Sequence, residues 1–269
     1  MSHFALSSAA VLLATSAIFT TSTAQAQDGW SAGGFAVIAP KYEGSKEYRA
    51  FGFPLVIPSF GKSPSAGETS EFRSRVKFKG LDDVRFTLLN NDTFEIGPVA
   101  GYRTGRKESA GVLLGGLGDV KGGLVLGGYV GINAGPAFFD ISYSDQLTGG
   151  IRGGQVKLGA TTRAQLNDTL SLNAGVGATY ATDAYMDSYF GVSAAQAGTS
   201  SASLTAFDPK AGFKDINVSL GTGIKLSSNW TAKLGGKYSR LINDAALSPV
   251  IETKNQLSGS FGLIYKFGH

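Results

Sequence analysis

The chain of 269 residues contains no cysteine, and its two histidines lie at its ends, at His3 and His269. Without cysteine it can form no disulfide, no thiolate metal site and no cysteine nucleophile. Without a histidine in the body of the chain, a Ser-His-Asp triad or a His-ligated zinc site has no residue to be built on. We therefore predict that the protein is not an enzyme and has no catalytic, cofactor-binding or metal site.

Charged residues and long apolar runs are also scarce. Charged side chains make up 16% of the sequence, and the formal net charge is +4. This composition differs from that of disordered tails and nucleic-acid-binding arms, so no nucleic-acid partner is predicted. After residue 26, no apolar run reaches the about 20 residues that a membrane-spanning helix needs.

The first 26 residues are typical of a secretory signal peptide. An apolar stretch diluted by Ser and Thr runs from Phe4 to Phe19, and Ala24-Gln25-Ala26 provides a small-x-small cleavage site. The alternative is an N-terminal membrane anchor, for which this stretch is short and interrupted. No Lys or Arg precedes Lys41, which is a departure from the usual positively charged start. The sequence predicts a signal peptide over 1–26 and one domain over 27–269.

Glycine is abundant, with 38 residues, and from residue 28 the dominant pattern has period two. Near the end of the chain, Leu257, Phe261 and Tyr265 alternate with polar or small residues. Sustained alternation of this kind favours β-strands over helices. About twelve such segments occur, many of them longer than the about 5–6 residues usual in soluble sheets. They lie near 29–38, 48–57, 70–78, 83–89, 93–103, 122–133, 136–145, 154–166, 169–180, 213–226, 229–240 and 255–267.

The connections between these segments alternate in length. Tight turns rich in Asn, Asp, Gly and Ser are predicted at 90–92, 134–135, 167–168 and 227–228, whereas 104–121, 181–212 and 241–254 are long. A longer connection at 58–69, on the short-turn side, is the exception. Short turns at one end and long loops at the other are typical of bacterial outer-membrane barrels, with both termini in the periplasm.

A soluble β-sandwich or a lipocalin-like barrel is the alternative, with its apolar residues facing a dry core. Two features favour the membrane barrel: charges recur on the polar faces of successive strands, and aromatic residues occur near strand ends, as in interfacial girdles. These aromatic residues are Trp30, Tyr102, Tyr143, Tyr180, Trp230, Tyr238 and Phe267. The predicted fold class is all-β: a transmembrane antiparallel β-barrel of about twelve strands, surrounded by the lipid of a Gram-negative outer membrane.

Four segments carry a resemblance to a known family. They are residues 40–45 (PKYEGS), 97–106 (GPVAGYRTGR), 189–192 (YFGV) and 238–250 (YSRLINDAALSPV). Together, and in this order, they resemble the MipA/OmpV family of outer-membrane proteins, named after the MltA-interacting protein. Members usually end on a terminal aromatic residue that the barrel-assembly machinery recognises, whereas this chain continues beyond Phe267 with Gly268 and His269.

The resemblance implies a scaffold that links peptidoglycan-remodelling enzymes, a lytic transglycosylase and a penicillin-binding protein, to the outer membrane. OmpV-like members of the family imply another role, as a surface adhesin or stress-response barrel that acts through long external loops. A third alternative is a small anion-preferring channel or uptake barrel. It follows from the charges on the inward faces of the strands rather than from the resemblance.

If the apolar faces contact lipid, most of the inward charges are basic. The candidate lumen residues are Arg73, Arg75, Lys77, Arg85, Arg103, Lys157, Arg163, Lys225, Lys233, Lys237 and Lys266, whereas the clearest inward acids are Glu71, Glu95 and Asp140. Such a lumen would favour anions or hold an acidic loop; the alternative is an internally paired surface without a selective role. The longest loop contains a candidate recognition set, Tyr185, Met186, Tyr189 and Phe190, which could equally form an ordered lid over the mouth.

Overall fold

The computed structural model describes residues 30–58, 76–150 and 153–267. The predicted signal peptide over 1–26 lies outside these residues, as do lumen candidates Arg73 and Arg75. Within them the chain is almost entirely β-structure. The strands are β1 (Trp30–Pro40), β2 (Tyr48–Pro58), β3 (Val76–Gly80), β4 (Asp83–Phe86), β5 (Leu89–Asn90), β6 (Phe94–Arg103), β7 (Gly123–Ala134), β8 (Ala137–Gln146), β9 (Gly154–Gln165), β10 (Leu170–Ala181), β11 (Gly212–Lys225), β12 (Trp230–Leu241) and β13 (Asn255–Phe267).

These strands confirm the predicted all-β fold. Eleven of the twelve predicted segments correspond closely to β1, β2, β4 and β6–β13; the twelfth, near 70–78, overlaps β3. Within the part of the chain that the structure describes, the one additional strand is the two-residue β5, which pairs with β6. The long strands contain 10 to 14 residues, for example β6 and β11. A tilted strand needs about 9–11 residues to cross a bilayer, so these strands are long enough.

The strands form one antiparallel sheet in the order β2-β1-β13-β12-β11-β10-β9-β8-β7-β6-β4-β3. The first and last strands of the chain are neighbours, with Trp30 opposite Phe267. Apart from this link between β1 and β13, strands that follow one another in the chain are paired, except β2 and β3, which form the two ends of the sheet, and β4 and β5, which both pair with β6. The strands between these two ends have a hydrogen-bonded neighbour on each side, which satisfies their backbone N–H and C=O groups as lipid requires.

The two ends of the sheet, β2 and β3, meet at a cluster of three aromatic rings. The ring of Phe78 lies 5.4 Å from that of Phe53 and 6.3 Å from that of Phe35. Phe53 and Phe35 are on the inward faces of β2 and β1, whereas Phe78 is on the face of β3 opposite to the inward Lys77. The β3 end therefore overlaps the inside of the β2 end. We call this contact the seam.

Among the described residues the connections confirm the predicted alternation of short turns and long loops; the predicted 58–69 connection lies almost wholly outside them. Tight turns follow β7, β9 and β11, and Gly135 has a positive φ of 59° in the first of them. At the other end of the barrel, the long-loop end, the loops carry three short helices: α1 (Asp183–Phe190), α2 (Ala194–Thr199) and α3 (Asn243–Leu247). Two 3-10 turns, Glu108–Ala110 and Val112–Leu114, lie there too. No helix among the described residues is long and apolar enough to cross a membrane.

Burial along the strands is inverted relative to a soluble protein. On β8, Phe139 and Ile141 are 49% and 48% exposed, whereas Asp140 and Ser142, which alternate with them, are 7% and 4% exposed. A soluble barrel would bury its apolar residues and expose its polar ones. An apolar outer surface around a polar interior is the arrangement of a membrane barrel, so the soluble alternative is wrong.

Candidate functional site: the lumen and the lid over its mouth

The lumen is crossed by a buried network of ion pairs centred on Arg85 of β4. Its Nε and Nη2 donate to the two carboxylate oxygens of Asp83 at 2.8 and 3.2 Å, and its Nη1 donates to Asp140 of β8 at 2.8 Å. Lys79 of β3 contacts the other oxygen of Asp140 at 2.5 Å. The guanidinium also lies 4.9 Å from the ring centroid of Tyr129. With Arg85 only 1% exposed, this network fills part of the barrel interior.

A second group lies beside it, on strands β3, β6 and β7. Lys77 forms an ion pair with Glu95, and the Tyr129 hydroxyl donates to the same carboxylate. Thr87 donates to Glu95 at 3.0 Å and lies 2.8 Å from the Tyr129 hydroxyl. Glu95 is 2% exposed, so its charge is compensated by Lys77 rather than by water.

Nearer the long-loop end, two more ion pairs link strands to loops. Lys157 of β9 contacts Asp82, in the turn between β3 and β4, at 2.9 Å. Lys214 of β11 contacts Glu43, in the loop after β1, at 2.6 Å and its neighbour Asp215 at 2.8 Å. These pairs hold loops against the barrel wall.

The helix α1 covers the mouth. Its side chains Tyr185, Met186, Tyr189 and Phe190 are all buried and pack with Ala181, Leu241 and Ala245. The rings of Tyr185 and Tyr189 stack with centroids 4.5 Å apart. A neighbouring apolar cluster consists of Tyr42, Leu114, Leu117, Val192 and Val250. We call α1, together with this second cluster, the lid.

Polar contacts fasten the lid to the barrel. The Tyr185 hydroxyl donates to Glu43 at 3.1 Å, and the Tyr189 hydroxyl donates to the carbonyl of Thr104 at 3.2 Å. Ser248 donates to the carbonyl of Phe190 at 2.5 Å. Burial, reinforced by Glu43, raises the pKa of Tyr189 to about 12. Both tyrosines therefore stay neutral donors at physiological pH.

The four predicted recognition residues are these lid residues, and their side chains face the barrel rather than the outside. This placement corresponds to the ordered-lid alternative. Recognition by these side chains stays a prediction, and it would require α1 to lift off the mouth.

The predicted lumen residues are spread along the whole barrel. Lys77, Arg85 and Lys157 belong to the ion pairs, and Arg163 donates to Ser171 at 3.3 Å. Arg103 is buried beneath the lid, whereas Lys225 and Lys266 are exposed near the short-turn end. Lys233 is half-buried, and Lys237 is exposed. Whether these residues select ions stays a prediction.

Three acids were missing from the predicted lumen set: the buried Asp83 and Asp215 and, at the mouth, the partly exposed Glu43. Asp83 and Asp215 lie on the same strand faces as other polar residues, since Asp83 precedes Arg85 by two positions and Asp215 precedes Asn217 by two. That period-two spacing could have identified them. The position of Glu43 depends on loop folding and has no such signal.

Beneath the lid lies a cavity of about 340 Å³. Seven basic residues line it, against three acidic ones, Glu43, Asp82 and Asp215. The basic residues are Lys41, Arg49, Arg103, Arg106, Lys157, Lys214 and Lys237. Three of the seven, Lys41, Lys157 and Lys214, form ion pairs with acids at the mouth. The cavity therefore has an excess of positive charge.

A sheet of bilayer-spanning strands, apolar outside and charged inside, defines the chain as an outer-membrane β-barrel protein. The model of the family described as MltA-interacting protein MipA matches residues 32–267. The chain belongs to that family, as the four motifs indicated.

Solved structures that are similar to this chain share little sequence identity with it. The NanC porin is 9% identical over 88% of this chain and 98% of its own, with a TM-score of 0.39. The OmpT protein of Vibrio cholerae is 8% identical over 91% of this chain and 99% of its own, with a TM-score of 0.34. The N-terminal barrel domain of Pseudomonas aeruginosa OprF is 13% identical over 66% of this chain and 100% of its own, with a TM-score of 0.28. Among curated proteins, no sequence matches the chain.

Proposed function

We propose that the chain is a non-enzymatic scaffold of the outer membrane that binds peptidoglycan-remodelling enzymes. The observation that carries this proposal is the family match, which spans nearly the whole barrel and whose description names an interaction with MltA. By the resemblance to this family, the partners are a lytic transglycosylase and a penicillin-binding protein. The ion pairs across the lumen and the lid over the mouth support binding rather than free passage.

A scaffold for cell-wall enzymes must bind them from the periplasm. We place the short turns and both termini there, with the long loops and the lid outside. The binding surface would then be made by the exposed turns, such as Asp168 between β9 and β10 and Ser228 between β11 and β12.

Crosslinking in intact envelopes followed by capture of the tagged barrel tests the scaffold. We expect a peptidoglycan enzyme to be captured with the wild-type chain. The double variant Asp168→Arg/Ser228→Arg should reduce its recovery, because both turns are exposed on the proposed binding side. The matched control Thr205→Arg, exposed in a long loop, should leave recovery unchanged. Failure of the wild type to capture any such enzyme, or equal loss in the control, contradicts the scaffold.

A second candidate function is an anion-preferring uptake barrel, and the positive excess in the mouth cavity favours it. Planar-bilayer recordings on the purified barrel test this function. We expect anion preference and higher conductance when 184–208, which contains most of the lid, is deleted. Cation preference contradicts this candidate.

A further inference from the structure

The cavity beneath the lid contains an arginine whose hydrogen-bonding capacity is only partly used. Arg103 ends β6, lines the cavity and is 5% exposed. Its Nη1 donates to the carbonyl of Gly153 at 2.6 Å, and its guanidinium lies 5.1 Å from the ring centroid of Tyr185. Its Nε and Nη2 have no hydrogen-bond partner among the described residues.

The two unpartnered nitrogens form one edge of the guanidinium. In an arginine, the N–H bonds of Nε and Nη2 point the same way, so this edge presents two parallel donors. Two parallel donors match the two oxygens of a carboxylate. Buried donors that are left unpaired carry a desolvation penalty, so this edge favours an acceptor.

The same barrel shows how such an edge is satisfied. The Nε and Nη2 of Arg85 donate to the two oxygens of Asp83. Arg103 presents the same pair of atoms, but no described carboxylate lies against them. Its contacts with Gly153 and Tyr185 use one nitrogen and one face of the group, which fixes its plane and leaves the edge free.

Arg106, three residues further along the chain, adds a second partly satisfied guanidinium. It also lines the cavity and is 3% exposed. Its Nη1 donates to the carbonyl of Tyr189 at 2.8 Å, while its Nε has no partner among the described residues. Burial lowers the pKa of Arg106, and the groups that counteract this shift are tyrosines rather than carboxylates.

We propose that the cavity beneath the lid is a binding site for a small organic anion whose carboxylate is bound by the free edge of Arg103. Arg106 and Lys237, which line the same cavity, add attraction for the negative charge. The volume of about 340 Å³ is near the lower limit for small-molecule sites, so the ligand is small. The site does not depend on the scaffold function, because binding requires no partner protein.

Calorimetric titration of the purified full-length barrel in detergent, at constant ionic strength, tests this site. Glucuronate is the probe, glucose is its uncharged counterpart, and inorganic phosphate is a separate arm. We expect glucuronate to bind and glucose not to bind. Arg103→Lys should weaken glucuronate binding at least about tenfold, because an ammonium keeps the charge but lacks the two-donor edge.

Two further variants keep the result interpretable. Arg240→Lys is the matched control, because Arg240 is exposed, contacts Asn255 and does not line the cavity; its affinity should equal that of the wild type. Lys237→Gln changes an exposed residue of the cavity wall and should weaken binding several-fold, even if Arg103→Lys fails to fold.

Several outcomes would overturn the proposal. They are no glucuronate binding to the wild type, equal binding of glucose, unchanged affinity in both cavity variants, or binding of phosphate without glucuronate. Water alone then satisfies the edge of Arg103 or, where phosphate binds without glucuronate, the site takes an inorganic anion rather than a carboxylate.

Discussion

Arg85 and Asp83, two residues apart on β4, face the lumen together as a two-bond ion pair, with Nε–Oδ1 and Nη2–Oδ2 distances of 2.8 and 3.2 Å. Both side chains are buried, and the guanidinium also ties β4 to Asp140 on β8. Its contribution to folding can be measured.

Arg85→Met should destabilise the barrel by about 3 kcal/mol, because it leaves Asp83 and Asp140 buried with less compensation. Urea unfolding in lipid vesicles, followed by gel mobility of unheated samples, measures this change. Lys107→Met, which removes an exposed ion pair with Asp119, is the control and should leave the midpoint unchanged. An unchanged midpoint for Arg85→Met contradicts the stabilising role of the pair.

The overlap at the seam can be tested by crosslinking, because the chain contains no cysteine. The double variant Phe53→Cys/Phe78→Cys should be joined by a short thiol-reactive linker in the folded barrel, since the two rings are 5.4 Å apart. A faster-migrating band on a denaturing gel reports the link. Phe53→Cys/Phe94→Cys is the control, with Phe94 exposed on β6, and should give no such band. Absence of a link between positions 53 and 78 argues against the overlap.

The lid should weaken at high pH. The pKa of Tyr189 is raised from 10.0 to about 12, so the folded state disfavours its ionisation more than the unfolded state does. Its contribution to stability is complete below pH 10 and is lost as the pH rises through 12. The tyrosinate absorbance difference between the wild type and Tyr189→Phe should titrate near pH 12. A difference that titrates near pH 10 would mean that Tyr189 is not buried.

The proposed orientation, with the short turns and both termini in the periplasm, predicts which loops can be labelled from outside the cell. Thr205→Cys, in the long loop after β10, should react with a membrane-impermeant maleimide on intact cells. Asp168→Cys, in the turn between β9 and β10, should react only after the outer membrane is permeabilised. The reverse pattern would place the short turns and the termini outside.

The signal-peptide prediction is tested by the N-terminus of the mature protein. Cleavage after Ala26 leaves Gln27 as its first residue. Mass spectrometry of the protein purified from membranes measures this directly. A mature chain that still contains residues 1–26 would support the alternative of an N-terminal anchor.

Local pattern was sufficient to predict the strands and turns. Period two places Phe139 and Ile141 on one face and Asp140 and Ser142 on the other, and this alternation is a property of the extended backbone itself. Turn residues such as Gly135, with its positive φ, mark where strands end. The same alternation indicated that basic residues such as Arg85 and Lys157 face the lumen.

Only the tertiary structure decided how these residues are used, because pairing depends on contacts between positions far apart in the chain. Alternation cannot show that Arg85 is neutralised by Asp140 on another strand while Arg103 keeps a free edge. Nor can alternation show that the side chains of Tyr185 and Tyr189 turn inward, because their loop has no repeating pattern of apolar and polar residues. The conformation of this loop follows from packing on Leu241 and Ala245. Sequence determined the strands and which of their faces turn inward; packing across the lumen decided which charges are paired and where the mouth is covered.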